Sequence, residues 1–273
     1  MQMPSQGAKL DDLKRSLSRT RPLVVAFSGG VDSAFLLAVA RETLGEGDVL
    51  AVTVRSCLLP ARETGAAVRF CRERSIRHAT VDIDPLSLPG FAENPPDRCY
   101  ICKKAIFSRV LELAASIGFR HVAEGSNLDD DDDYRPGRRA IAELGVLSPL
   151  RDAHFTKREI REESHKLGLE TWDRPSLACL ASRLPYGQRI TAADLVRVDE
   201  AEQFLRESIP DIGQVRVRLH GGLARIEVAP EKAGAIVAVR NDVVAKFKSL
   251  GYDWTSLDLE GYRTGSMNDG LRN

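Results

Sequence analysis

Neither charge nor apolar length is in excess in this sequence. Its 39 Lys plus Arg are matched by 39 Asp plus Glu, for a formal net charge of zero. That balance argues against the broad basic surface of a nucleic-acid binder and leaves nothing to hold an anionic membrane. No apolar run approaches the ~20 residues that cross a bilayer, and Met1 to Leu10 lacks the apolar core of a secretion signal, so the expected compartment is the cytoplasm. Five cysteines, an odd number, do not make a disulfide framework. Repeats and low-complexity tracts are absent. So is the Gly-Lys-Ser/Thr that would close a Walker A loop.

What is present is a globular composition over 273 residues, enough for one large or two modest domains. Apolar runs at 23–27, 49–54, 78–83 and 121–125 alternate with helical stretches at 8–20, 34–40, 60–74 and 99–117. This alternation predicts an α/β fold, an open parallel sheet with helices on both faces. Ligands of such sheets sit beyond the carboxyl ends of the strands. Ser28, the stretch from Thr53 to Ser56, and Gly125 all lie at such ends. Thr156 with Glu159 three residues on predicts a capped helix over 157–167, and an irregular stretch follows over 170–188. From Ile190 the pattern changes. Thr191 caps a helix to 208, and residues 214–220 and 223–228 alternate at period two about Gly221-Gly222. A helix over 230–250 and a strand within 252–262 complete the series. The expected organisation is an α/β domain over 1–187, a small α-β-β-α-β domain over 188–263 and a flexible tail over 264–273.

The stretch Ser28-Gly29-Gly30-Val31-Asp32-Ser33 stands between the first strand and its helix. Strand, Gly-rich turn and helix together aim backbone N–H groups and a positive helix end at an anion. The glycines let the backbone come close, and Ser28 and Ser33 add hydroxyl donors. An ordinary tight turn would need only the Gly-Gly. Asp32 inside a phosphate cradle is unexplained by that reading unless a divalent cation such as Mg²⁺ mediates. The string resembles the PP-loop of ATP pyrophosphatases, which cleave ATP between the α- and β-phosphates. That resemblance implies AMP transfer to an oxygen, with pyrophosphate leaving.

Four further features carry possible chemistry. Cys99 and Cys102 form a C-x-x-C at a predicted helix start, where the helix end favours thiolate chemistry or metal binding. Alone they are two ligands, and a tetrahedral site needs three or four. Cys179, in an irregular stretch flanked by Ser, Arg and Pro, would make three thiols. Cys57 and Cys71 read as small buried side chains. Asp129 to Asp133 is a self-repelling acidic run, of which one or two members can serve Mg²⁺ while the rest face water. Arg216 and Arg218 share one strand face, which is either solvent-facing or an anion clamp, with Glu227 on the neighbouring strand to pair them.

Taken together, S-G-G-V-D-S at 28–33, R-C-Y-I-C-K-K at 98–104, G-S-N-L-D-D at 125–130, D-Y-R-P-G at 133–137, P-S-L-A-C-L-A-S-R at 175–183 and V-R-V-R-L-H-G at 215–221 resemble the LarE family. These are ATP-dependent sulfur transferases that build the nickel-pincer nucleotide cofactor of lactate racemase. The resemblance implies adenylation of the carboxylates of pyridinium-3,5-biscarboxylic acid mononucleotide and their conversion to thiocarboxylates. It implies ATP contacts at Ser28, Gly29, Gly30, Asp32 and Ser33, with Asp32 on Mg²⁺, and the strand-end positions of Thr53, Ser56 and Gly125 make them expected further ATP contacts. Substrate contacts fall on Ser182, Arg183, Arg216, Arg218 and Glu227. Cys179 matches a cysteine that some members sacrifice to dehydroalanine. Members with three cysteines resemble enzymes in which a [4Fe–4S] cluster holds an extra sulfide, and Cys99, Cys102 and Cys179 place this chain with them. A sulfide donor and a homo-oligomer are the implied partners.

Two alternatives compete. A tRNA thiolase or amide-forming synthetase would share the loop, but the balanced charge lacks an RNA surface and no glutaminase segment is visible. A nucleotide sensor with zinc on the three cysteines has little need of a full adenylating loop.

Overall fold

The structure, a computed structural model, describes residues 6–132, 136–175, 178–263 and 265–267. Asp133, Ser176, Leu177 and most of the expected tail lie outside the described residues. Contacts group the chain into two compact units. The first takes Met1–Ser56, Pro60–Ile83 and Cys99–Arg174, and the second takes Cys57–Leu59, Asp84–Arg98 and Pro175–Asn273.

The first unit runs α1 (Gln6–Ser18), β1 (Leu23–Ala26), α2 (Val31–Leu44), β2 (Val49–Arg55), α3 (Ala61–Glu73), β3 (Arg77–Asp82), α4 (Arg98–Ser116), β4 (His121–Ala123), α5 (Gly137–Glu143), α6 (Pro149–Asp152) and α7 (Lys157–Lys166). Its four strands are all parallel in the order β3-β2-β1-β4. Alternation along β1 divides the core between the two faces. Leu23 and Val25 join Leu13, Phe35, Ala67, Phe155 and Ile160 on one side. Val24 joins Leu50, Val110, Val122 and Ile141 on the other. This is the doubly covered parallel sheet that the alternating pattern predicted.

The second unit holds α8 (Ala192–Ser208), β5 (Val215–His220), β6 (Leu223–Val228), α9 (Ala233–Ala238), α10 (Arg240–Ser249) and β7 (Trp254–Leu257). β5 and β6 form the predicted hairpin, and β7 adds parallel to β6. The helix expected over 230–250 is instead a 3₁₀ turn and two helices separated by Val239, and the last strand is shorter than expected. Asn94 is fully buried at positive φ, and its amide donates to the carbonyls of Leu184 and Pro185. Gly187 lies inside this unit, donating to Asn94 O. The acidic run, expected to be loop, opens as a 3₁₀ turn over Leu128–Asp132. Among the described residues no helix is long and apolar enough to cross a membrane.

Candidate active site

In the first unit the Gly-rich loop sits at the carboxyl end of β1, with Gly30 as the N-cap of α2. Gly29 has φ +77°, a conformation L side chains rarely adopt. Ser33 Oγ donates to Gly30 O at 3.1 Å, which leaves Ser28 Oγ to donate to Ser33 Oγ at 3.1 Å. Thr53 is buried, and its hydroxyl donates to Phe27 O at 2.8 Å. His78 Nε2, 2.9 Å from Thr53 Oγ1, is therefore the donor of that pair, and burial pulls its pKa down. Thr53 thus shapes the start of the loop. Ser56, half-buried, follows β2. At Gly125 a Cβ would stand 2.9 Å from Ser33 N, so the end of β4 packs directly on the first turn of α2.

Asp32 is where the sequence reading was incomplete. Its carboxylate pairs with Lys157 Nζ and accepts from Asn127 Nδ2 at 3.3 Å. Lys157 is the first residue of α7, fixed there by the predicted capping box of Thr156 and Glu159. Asp129 adds to this by accepting from Lys157 N at 2.9 Å, while Asp130 accepts from Asn127 N at 3.0 Å. The first two aspartates of the run therefore hold backbone. Arg174 donates to Gly29 O at 2.9 Å and to Glu63 at 2.5 Å, tying the loop to α3. Lys157, Asn127, Arg174 and Glu63 were not singled out from sequence. The capping box located Lys157 at a helix start, but nothing local places that start beside Asp32.

Cys99 is exposed and Cys102 buried in the first turn of α4. Gly137 packs there, where a Cβ would meet Lys103 Cδ at 2.6 Å and Cys99 O at 3.2 Å. The i, i+3 pair suits two ligands of a cluster. Among the described residues, however, no group of three His, Cys, Asp or Glu is assembled to hold a metal ion. Cys71 is buried as expected, which pushes its thiol up to about 12. Cys57, expected to be buried, is exposed.

The second unit contains Cys179, half-buried before a 3₁₀ turn over Leu180–Arg183. Arg183 is 3% exposed and forms a bidentate pair with Glu202 of α8, at 2.8 and 3.0 Å. Burial acts to raise the Glu202 carboxyl, but Arg183, and then Arg216 and Arg206, outweigh it and hold the group down to about 2. Arg216 and Arg218 do not face solvent. Both are buried, because the turn carrying Ser182 and the ring of Tyr262 cover that face. Arg218 donates to Glu227 at 2.6 and 2.9 Å, to Ser182 O at 3.1 Å and to Ser266 Oγ at 3.1 Å. Glu227 also accepts from Arg225 at 3.0 Å. Beside this network opens a cleft of about 510 Å³, lined by Tyr186, His220, Arg225, Asp258, Arg263 and Ser266 among others.

A parallel sheet carrying this loop on a helix start defines a nucleotide-binding enzyme of the PP-loop ATP pyrophosphatase class. Residues 11–105 match the family described as NAD synthase. Over 269 residues, 98% of this chain and 97% of the relative, the sequence is 35% identical to pyridinium-3,5-bisthiocarboxylic acid mononucleotide synthase of Lactiplantibacillus plantarum. It is also 38% identical over 263 residues to an uncharacterized protein of Synechocystis sp., covering 96% and 97% of the two chains. A protein of Methanocaldococcus jannaschii is 28% identical over 259 residues, covering 94% and 98%. The chain belongs to the LarE family of ATP-dependent sulfur transferases.

Proposed function

We propose that this enzyme adenylates the carboxylates of pyridinium-3,5-biscarboxylic acid mononucleotide and replaces an oxygen of each with sulfur. The observation that carries this is the Lys157–Asp32 pair on the Gly-rich loop, in a chain that matches the Lactiplantibacillus synthase from end to end. The loop amides and the start of α2 take the phosphates of ATP, and Lys157 supplies a cation to the leaving pyrophosphate. Asp32, a half-buried carboxylate at that spot, fits one ligand of Mg²⁺, which would screen the phosphate charge. A substrate carboxylate oxygen attacks the α-phosphorus, the bond to the bridging oxygen breaks, and pyrophosphate departs.

Sulfur then reaches the acyl carbon by one of two routes, both of which use Cys179. In the sacrificial route its thiolate displaces AMP to give a thioester. Loss of the Cα proton then breaks the Cβ–S bond, leaving a thiocarboxylate on the product and dehydroalanine at residue 179. In the competing route Cys179 is kept, and Cys99, Cys102 and Cys179 would hold a [4Fe–4S] cluster, which would supply an exchangeable sulfide. The helix-start C-x-x-C favours it. Cytoplasmic location, an external sulfide donor and a homo-oligomeric state belong to the same proposal. Anaerobic incubation with ATP, Mg²⁺, sulfide and the biscarboxylate nucleotide, with mass analysis of product and protein, tests it. Thiocarboxylate with AMP and pyrophosphate is expected. ATP consumption without any sulfur-bearing product would overturn it.

A further inference from the structure

Arg183 reaches in two directions. Nε and one terminal nitrogen hold Glu202, while the other, Nη1, donates to Ala178 O at 2.8 Å, Cys179 O at 3.1 Å and Ser182 Oγ at 3.1 Å. Glu202 is itself fixed, accepting from Val217 N at 3.1 Å and Arg206 at 2.8 Å. The carbonyls on either side of the Cys179 nitrogen and Cα are thus referenced, through one guanidinium, to a carboxylate anchored on α8 and β5. Stability alone is a poor reason for this arrangement. A buried ion pair is often no better than a well-packed apolar pair of the same volume. What a planar five-donor fork adds is geometry, holding several acceptors at fixed angles.

We propose that Arg183, locked by Glu202, is a positioning residue for the sulfur-bearing segment, setting the direction in which the Cys179 side chain leaves the backbone. This rests on the reading that Cys179 takes part in sulfur delivery, as the donor itself or as a cluster ligand, and it applies to both routes. Adenylation draws on the loop of the first unit, so a defect in this device should separate the two half-reactions: ATP is still cleaved but sulfur is not delivered.

The test compares wild type, R183K and the double variant R183M/E202Q. In the double variant Gln keeps an acceptor for Val217 N and neither buried charge is left unpaired. Each is given ATP, Mg²⁺ and the biscarboxylate nucleotide anaerobically, and pyrophosphate and thiocarboxylate are quantified by quenched sampling. Whatever its absolute rate, the double variant is expected to form at least about tenfold less thiocarboxylate per pyrophosphate released than wild type. R183K, which keeps the charge but not the fork, should fall between the two. A wild-type product ratio in either folded variant overturns the proposal, and if the double variant does not fold, R183K alone decides. C179A is the control for the underlying reading. If it still forms thiocarboxylate, that reading fails and the proposal falls with it. If it forms none while R183K keeps the wild-type ratio, only the positioning role is lost.

Discussion

Lys9 Nζ donates to both carboxylate oxygens of Glu159, at 2.8 and 2.9 Å, and to His154 O at 2.7 Å. All three ammonium hydrogens are used, in a side chain only 2% exposed. Glu159 is also the capping-box residue of α7, so α1 fixes the helix start from which Lys157 reaches Asp32. Removing the cation leaves a largely covered carboxylate unpaired. Lys9→Met should cost about 3 kcal/mol, a fall of roughly 8 °C in Tm for a chain of this size. The apparent KM for ATP should rise with it. Thermal melts and initial-rate kinetics read both, and an unchanged KM would sever the link from α1 to the loop.

Lys157 itself is partly exposed, so its truncation should leave stability within about 0.5 kcal/mol. Lys157→Met is expected to slow pyrophosphate release about 100-fold, the scale seen when one donor to a developing charge is lost. Asp32→Asn should slow it too, and the double variant should lose less than the product of the two effects, because the pair acts together. Multiplicative losses would mean that the residues act separately.

Gly125→Ala places a methyl carbon against Ser33 N and Asp32 C. Since both contacts are backbone, the first turn of α2 must shift to admit it. ATP-dependent pyrophosphate release should drop at least about tenfold for this single methyl, since misplacement by an ångström already has effects of this size. Circular dichroism should stay that of the wild type.

Glu202 gives a pH signature. Its folded-state pKa of about 2 lies below the ordinary 4.5, so its ionised form contributes stability in full above about pH 4.5. That contribution is lost as pH falls toward 2. Urea denaturation should find Glu202→Gln destabilised at pH 7, with the gap from wild type narrowing below pH 4.5 and nearly closed at pH 2. A gap that does not change with pH would show that the carboxylate charge is not the stabilising feature.

Cysteine substitutions separate the sulfur routes. If the three thiols hold iron, protein prepared anaerobically carries about four irons per chain, and C99S/C102S loses both the iron and repeated turnover. If Cys179 alone is used, that variant behaves as wild type, and one turnover leaves the chain lighter by one H₂S.

The fold was legible because its signals are local. Apolar runs of strand length, the Thr156–Glu159 box and the Gly221-Gly222 hairpin each act within a few residues. The site was legible to the same extent: the Gly-rich loop carries its own turn chemistry, and the cysteines are visible by type. What escaped depends on distant partners. Lys157 meets Asp32 across 125 positions, and neither residue has a neighbour that announces the other. Arg216 and Arg218 alternate as the outer face of a half-buried strand does. Only the turn through Ser182 and the ring of Tyr262, brought over them by the tertiary fold, turn that face inward. Cys57 erred the other way, since type and neighbourhood suggested burial and the chain leaves it exposed.

The division of the chain bears on how the enzyme can be taken apart. Residues 57–59 and 84–98 belong with the C-terminal half, where Leu58 O accepts from Leu180 N and Ala92 O from Ile190 N. The backbone therefore passes back and forth between the units before it settles in the second. No single cut yields one whole unit and one remainder. Severing the chain at Gly187 would strip the C-terminal piece of its own interior strands of contact at Leu58, Ala92 and Asn94. The two units are thus interwoven in sequence, and exchange of the second between homologues as a cassette would have to move three segments together.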